Sequence, residues 1–442
     1  MMFKTIAAAL AVAALFLFLA GPGLKAWFTD DQLMNLFQAS DRPVAELALQ
    51  PDRPVATLAM RGLWELFGIH PRPYRVVCFA LLLLNFALAT ALAWRLSQSG
   101  VTTLFFAVLF SYHACLTDLY FSTATLYDIL CFTFTFAALL WHATLRIQSR
   151  APNWRELAGI CLLSALAIGS KEMAVALPLL HALIEWLYGD RRHWLTPIFS
   201  AAICAAFVAR FLIHSGFQAN ASYRTTYTLE TFWANWQHYQ SMLFYQFRNW
   251  SPLATKITLA VCLLLPALLR RRESWFASAV ALITPLPILF IEPRNLYAFY
   301  IPYFGFCLLA AAVLTKIAIR RWPPIDLAVV LALFLIPHHL AAREWANAWY
   351  YAQERMLSEP GKAVSKSLPP LRPSSRILFV DDPFPLGPTQ AHTLYYLVSL
   401  AANDHTFHVY RAKAMSPPPT ESEWPSYAAV FRLTQNEMVR LR

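Results

Sequence analysis

Residues 157–188 read LAGICLLSALAIGSKEMAVALPLLHALIEWLY, an apolar run interrupted near its middle by Lys171-Glu172. As one helix it would measure about 48 Å at 1.5 Å per residue. That is too long for one straight crossing of a hydrocarbon core about 30 Å thick, and short for two full crossings. The flanking charges decide between them. Arg146, Arg150 and Arg155 precede the run, and Arg191 with Arg192 follows it. One crossing would put these groups on opposite sides of the membrane. Two short crossings hinged at Lys171-Glu172 keep them on one side, as the positive-inside rule requires. The hinge then carries a lysine and a glutamate to the opposite surface.

The same reasoning extends along the chain. Of its 442 residues, 58% are hydrophobic and only 14% charged, against roughly 25% charged in soluble domains. Apolar runs long enough to span recur at 4–21, 76–94, 101–121, 125–146, 157–170, 173–188, 195–214, 253–269, 274–291, 295–315 and 325–341. The expected fold is an all-α polytopic membrane protein of about 11 transmembrane helices. Alternate connections carry Lys4, Arg95, the Arg146 group, Arg191-Arg192, Arg270-Arg271-Arg272, and Lys316 with Arg320 and Arg321. These loops are assigned to the cytoplasm, with the N-terminus, in a cytoplasmic (inner) membrane. The first run is read as a retained signal-anchor, because Gly21-Pro22-Gly23-Leu24-Lys25 is a poor cleavage site.

The net charge of +11 lies largely in short loops between spans, which argues against nucleic acid as a partner. All seven cysteines fall in or beside apolar runs without C-x-x-C spacing, so neither a disulfide framework nor a zinc site is expected. Three segments lie outside the runs: a first outer loop at 25–75, a second, aromatic-rich one at 215–250, and a polar tail from Arg343. The division is therefore a transmembrane domain at 1–342 and a small extracytoplasmic α/β domain at 343–442. Strands are expected at Ile377–Val380 and Tyr427–Phe431, with a third at Thr406–Tyr410.

The first outer loop opens with Trp27-Phe28-Thr29-Asp30-Asp31-Gln32. Thr29 with Gln32 fits a capping box, which starts a helix with both aspartates in its first turn. They either complement the helix dipole, or one of them serves as a general base on an acceptor hydroxyl. After Arg53-Pro54, apolar residues at helical spacing up to Gly68 predict an amphipathic helix lying in the interface plane.

This order of features resembles the GT-C superfamily of membrane glycosyltransferases, closest to its protein O-mannosyltransferase-like and lipid-A aminoarabinose transferase-like branches. The match runs from the first span and acidic pair through Arg-Pro, the helix ending Leu66-Phe67-Gly68, and Tyr74-Arg75 leading into span two. It continues through Gly169-Ser170-Lys171-Glu172-Met173-Ala174 and Glu292-Pro293-Arg294-Asn295-Leu296-Tyr297, covering roughly residues 1 to 340. The resemblance implies transfer of a sugar from a polyprenyl-phosphate donor to a glycan, lipid or protein acceptor on the outer side of the membrane. It implies that Asp30, with Asp31 as close second, is the base or acceptor-positioning group. Asp-Asp stands here where related enzymes often have Asp-Glu.

A phosphate donor needs cations at the surface, and Arg294 with its planar fork comes first, Lys171 second. The alternative for Lys171-Glu172 is a self-neutralising pair in a turn, and for Arg294 an interfacial anchor. Glu172, Asp118, Asp128 and Tyr297 are further acceptor or cavity candidates. Asp118 and Asp128 alternatively cap or hydrate the turn they flank. His338-His339 diverge by about 100° on a helix and are read as structural. Trp233, Trp236, Tyr239 and Tyr245 offer an aromatic surface to a sugar or lipid, or belong to the interfacial belt. The sequence demands no cofactor and leaves a divalent metal open. A transporter or lipid flippase, and a non-catalytic assembly subunit, are the competing functions.

Overall fold

The structure, a computed structural model, describes residues 2–189, 193–214, 223–246, 249–321, 323–386 and 392–442, with backbone alone for 2–10 and 319–321. Arg191 and Arg192, the side chains of Lys4, Arg320 and Arg321, and residues 215–222 and 247–248 of the second outer loop lie outside the described residues. The chain runs as α1 (Met2–Ala20), α2 (Asp30–Asp41), α3 (Val44–Leu49), α4 (Pro54–Phe67), α5 (Pro71–Ser97), α6 (Gly100–Phe110), α7 (Thr117–Phe121) and α8 (Leu126–Ile147). It continues through α9 (Trp154–Ser170), α10 (Leu177–Tyr188), α11 (Leu195–His214), α12 (Leu229–Leu243), α13 (Pro252–Leu269), α14 (Arg272–Ile283), α15 (Tyr300–Arg321) and α16 (Pro324–Ser367). The last part holds β1 (Arg376–Asp381), α17 (Thr393–Ala402), β2 (His408–Arg411), β3 (Ala429–Leu433) and β4 (Met438–Arg440).

Six helical stretches among the described residues are long and apolar enough to cross a membrane, or up to eight if two sharply bent pairs count as one span each. This is the build of a multi-pass membrane protein, with fewer full-length spans than the expected 11. Two expected runs depart from straight crossings, while the pair at 157–170 and 173–188 forms the expected hinge. The run 101–121 breaks between α6 and the Ala114–Phe121 segment with a bend of 62°. Its freed backbone is met by side chains: Tyr245 Oη accepts the Ala114 N–H at 2.8 Å, and His113 Nδ1 accepts that of Cys115 at 3.2 Å. The run 274–291 is α-helical only to Ile283, because Pro285 cannot continue it, and one 3₁₀ turn follows at Leu286–Ile288. At the expected hinge between 157–170 and 173–188, α9 ends at Ser170, one 3₁₀ turn covers Glu172–Ala176, and α10 leads away.

Helix ends show which loops share a side. Arg95, Ile147, Tyr188 and Arg272, from the far ends of α5, α8 and α10 and the start of α14, line one cavity, and Tyr188 Oη donates to the Leu96 carbonyl at 3.1 Å. The opposite ends of α5 and α8 meet the start of α2, since Arg75 and Thr123 both bond Gln32, and Lys171 in the turn before α10 bonds Asp128 at the start of α8. The 22 residues of α8 separate the two ends by about 33 Å. So α9 and α10 are the two arms of a hairpin that leaves the arginine-rich end and returns to it.

Packing between helices relies on close approach at one point in particular. A Cβ at Gly305 on α15 would stand 2.5 Å from the Ala277 carbonyl and the Ala281 nitrogen on α14. Six of the seven cysteines are buried, and all are free thiols.

The carboxy-terminal part forms a four-stranded sheet in the order β2-β1-β3-β4, parallel except for the β3–β4 pair. Three strands fall where alternation predicted them; β4 is only three residues long and left no such pattern. The helix α16 carries on past Arg343 for another 24 residues, to Ser367, before the sheet begins.

Candidate functional site

The helix α2 begins at Asp30, with Thr29 in extended conformation before it. The expected capping box does not form. Gln32 is fully buried, its Oε1 accepts from Arg75 Nη2 at 2.7 Å, and its Nε2 donates to Thr29 Oγ1 at 3.0 Å. A guanidinium buried without a carboxylate needs that carbonyl, so the amide is turned away from the backbone role. The consequence is that α5 fixes the start of α2 at the surface.

The two aspartates point to different partners. Asp30 Oδ1 accepts from Thr393 Oγ1 on α17 at 2.9 Å. Asp31 instead lies in the field of Arg294. Desolvation raises the half-buried Asp30 carboxyl above the usual aspartate value of 3.8, and the more exposed Asp31 carboxyl shifts in the same direction. At Asp30 the Thr393 hydroxyl partly offsets this and the charge of Asp31 adds to it; at Asp31 the Arg294 charge partly offsets it.

Arg294 sits in the turn before α15, anchored by its backbone. Its N–H donates to Tyr239 Oη at 3.2 Å, and its carbonyl meets His238 Nε2 at 2.9 Å. The guanidinium lies 4.5 Å from the centroid of the Tyr223 ring. Arg53 uses the same tyrosine, donating to its Oη at 3.0 Å, and grips Glu172 through two bonds of 2.9 and 2.7 Å. Lys171 bonds Asp128 at 2.8 Å and stands 5.2 Å from the Tyr297 ring centroid. Asp118 accepts from Tyr350 at 2.6 Å and Asn295 at 3.2 Å.

Arg294, Arg53 and Glu172 are thus linked through Tyr223, and Lys171, Asp128 and Tyr297 join at the same turn; Asp118 bonds Asn295 beside Arg294, and Asp31 lies in the Arg294 field. Several local expectations are corrected. Lys171 and Glu172 do not neutralise one another: adjacent side chains at an extended turn diverge, and each takes a partner from another element. Asp118 and Asp128 do not hydrate a turn, being buried and bonded to side chains. Trp236 and Tyr239 are buried against Phe299, at 5.9 and 5.1 Å between ring centroids, because α12 lies flat on the turn before α15. Tyr245 is used in the α6–α7 break and bonds His339 at 2.7 Å. Of the four aromatics only Trp233 stays exposed. His338 faces elsewhere, to the Phe334 carbonyl, so the two histidines diverge as their spacing requires. Among the described residues no group of three or more His, Cys, Asp or Glu is placed to hold a metal ion.

Arg53, Tyr223, Asn295, Tyr350 and Thr393 are the site residues that sequence reasoning missed. Arg53 had a signal, the Arg-Pro at a helix start, but not its role: it holds φ at 49°, a left-handed turn that directs the chain into α4. Tyr350 and Thr393 come from the carboxy-terminal part and carried no local signal.

No protein-family model matches this chain, and no curated protein matches it. Among solved structures it is similar to ArnT from Cupriavidus metallidurans, whose crystal structure is bound to undecaprenyl phosphate. The identity is 12% and the TM-score 0.45, over 98% of this chain and 92% of that one.

Proposed function

We propose that this chain is a membrane glycosyltransferase that moves a sugar from a polyprenyl-phosphate donor to an acceptor hydroxyl at the face away from the arginine-rich turns. By the positive-inside rule that face is extracytoplasmic. The reading is supported by the Arg294 charge acting on the Asp31 carboxyl, with Arg294, Arg53, Glu172 and Tyr223 linked beside it. This would give a carboxylate base and a cation suited to a departing phosphate.

In this mechanism Asp31 takes the proton of the acceptor hydroxyl as its oxygen attacks the anomeric carbon. The bond from that carbon to the lipid phosphate oxygen breaks, and the phosphate keeps the electron pair. Arg294 stabilises the charge that develops there. Lys171 is the second cation, with its charge shared by Asp128. Asp30, bonded to Thr393, orients the start of α2. Glu172, Asp118, Asp128 and Tyr297 form the wall that keeps these groups in place.

The breaks at 111–113 and 171–176 are also what an alternating-access carrier would show. One experiment separates the readings. The purified full chain is reconstituted with a labelled polyprenyl-phosphate sugar, and glycosidic product and sugar translocation are both measured. Product that vanishes in Asp31→Asn supports the transferase; translocation without product favours the carrier.

A further inference from the structure

At the end of the bundle away from Asp31, an open cavity of about 340 Å³ lies among the ends of α5, α8 and α10 and the start of α14. Its size is that of a small-ligand pocket. Two guanidiniums line it, Arg95 from the last turn of α5 and Arg272 from the first turn of α14. Neither forms an ion pair among the described residues. Neighbouring groups are already engaged. Tyr188 Oη is donated to the Leu96 carbonyl, Gln98 Nε2 to the Arg95 carbonyl at 2.7 Å, and Glu273 faces Arg271 at 3.5 Å.

On the same helices, Glu185 of α10 accepts from His142 and pairs with Arg146 of α8 at 3.0 Å, all nearly or fully buried. The cavity opens among helix ends at the arginine-rich end of the bundle, which the proposed topology puts at headgroup depth. Two arginines converging on an open cavity at that depth match a phosphate oxyanion, which planar guanidinium forks bind through paired hydrogen bonds. Basic pockets between spans on this side of a membrane suit anionic headgroups.

We infer that this cavity binds the phosphodiester headgroup of an anionic membrane lipid through Arg95 and Arg272, as a site separate from the donor surface. The full chain in detergent is titrated with dioleoyl phosphatidylglycerol or dioleoyl phosphatidylcholine, and bound lipid is counted by native mass spectrometry. Retention of the anionic lipid over the zwitterionic one is expected. R95Q/R272Q should weaken it about tenfold or more, the loss expected for charge-assisted bonds. R95K/R272K keeps both charges and the insertion signal, and should bind between the two. R270Q removes a charge from the same end outside the cavity and should bind as the parent does.

Equal retention of both lipids, or parent-like binding by R95Q/R272Q, overturns the site. So does an equal loss in R270Q, which would make the attraction a property of the whole surface. Glycerophosphoglycerol, the same headgroup without acyl chains, is the competitor. Displacement at equal concentration would assign the cavity to a soluble phosphodiester and overturn the lipid; displacement only at large excess supports it.

Discussion

A carboxylate at position 31 and its neighbour at position 30 differ by one place in the chain and by everything in their surroundings. Asp30 is bonded to Thr393, whereas Asp31 lies in the field of Arg294. Asp31→Asn should lower kcat by about 10²-fold to 10⁴-fold, the range for loss of a general base. Asp30→Asn keeps an oxygen for Thr393 and should cost far less; the two single variants assayed for product distinguish them. The base acts when deprotonated, so activity rises with pH through the Asp31 pKa, which partial desolvation holds above 3.8. Removing the cation in Arg294→Gln raises that pKa further and should move the acidic limb of kcat/KM to higher pH, while Arg294→Lys leaves it near its place. Stability carries the opposite sign. A carboxyl whose folded pKa is raised contributes most below its unfolded value and loses that contribution as pH rises through the folded value. Replacing the half-buried Asp30 by Asn should therefore raise the Tm at neutral pH, measurable by a thermal melt, whereas Asp31, exposed and screened by solvent, should contribute little.

Among the elements, the hairpin of α9 and α10 shows how a short apolar pair is held in a membrane. Its turn is fixed by two cross-links, Lys171 to Asp128 on α8 and Glu172 to Arg53 before α4. Its returning arm is fixed near the other end by Glu185, which serves both Arg146 and His142 on α8. Glu185→Ala removes the shared acceptor and leaves the buried Arg146 without its carboxylate. The expected loss is about 3–5 kcal/mol, since breaking a buried pair leaves a charge uncompensated. Glu185→Gln keeps an acceptor for His142 and should lose less. Unfolding of the purified protein, followed by thermal or denaturant titration, checks both. The turn by Arg53 is more exposed, so Glu172→Gln is expected to loosen residues 25–75 to limited proteolysis rather than unfold the bundle.

For the whole molecule, the carboxy-terminal part is seated on the start of the site. Phe37 on α2 packs between Tyr395, Tyr396 and His405, with centroids 5.1, 5.1 and 4.6 Å away. A Cβ at Gly361 on α16 would strike the Trp27 ring, three residues before Asp30. Gly361→Ala should cost about 1–3 kcal/mol of stability by overpacking and lower transferase activity without abolishing insertion. The two-ended arrangement has its own test. In intact cells, cysteines placed at exposed Asp52 and Gln98 should react with a membrane-impermeant maleimide from opposite sides; labelling of both from one side would refute the arrangement.

Much of the architecture was legible because hydrophobicity and loop charge are local properties. The run 157–188 contains its own length and flanking arginines, and these are enough to require a hinge. The amphipathic α4 and three strands announce themselves by periodicity. The straight crossings expected at 101–121 and 274–291 failed because a buried break can be satisfied by side chains from elsewhere, as Tyr245 does for Ala114, and because prolines inside an apolar run still end a helix. Partner choice was not legible at all. Lys171 and Glu172 are adjacent in sequence, yet helix packing gives them Asp128 and Arg53; Thr393 reaches Asp30 across 363 positions. The sequence alone determined that this is a membrane chain with charged groups returning to one surface. Only the tertiary structure decided which charge meets which, because that depends on distances between helices that no local pattern encodes.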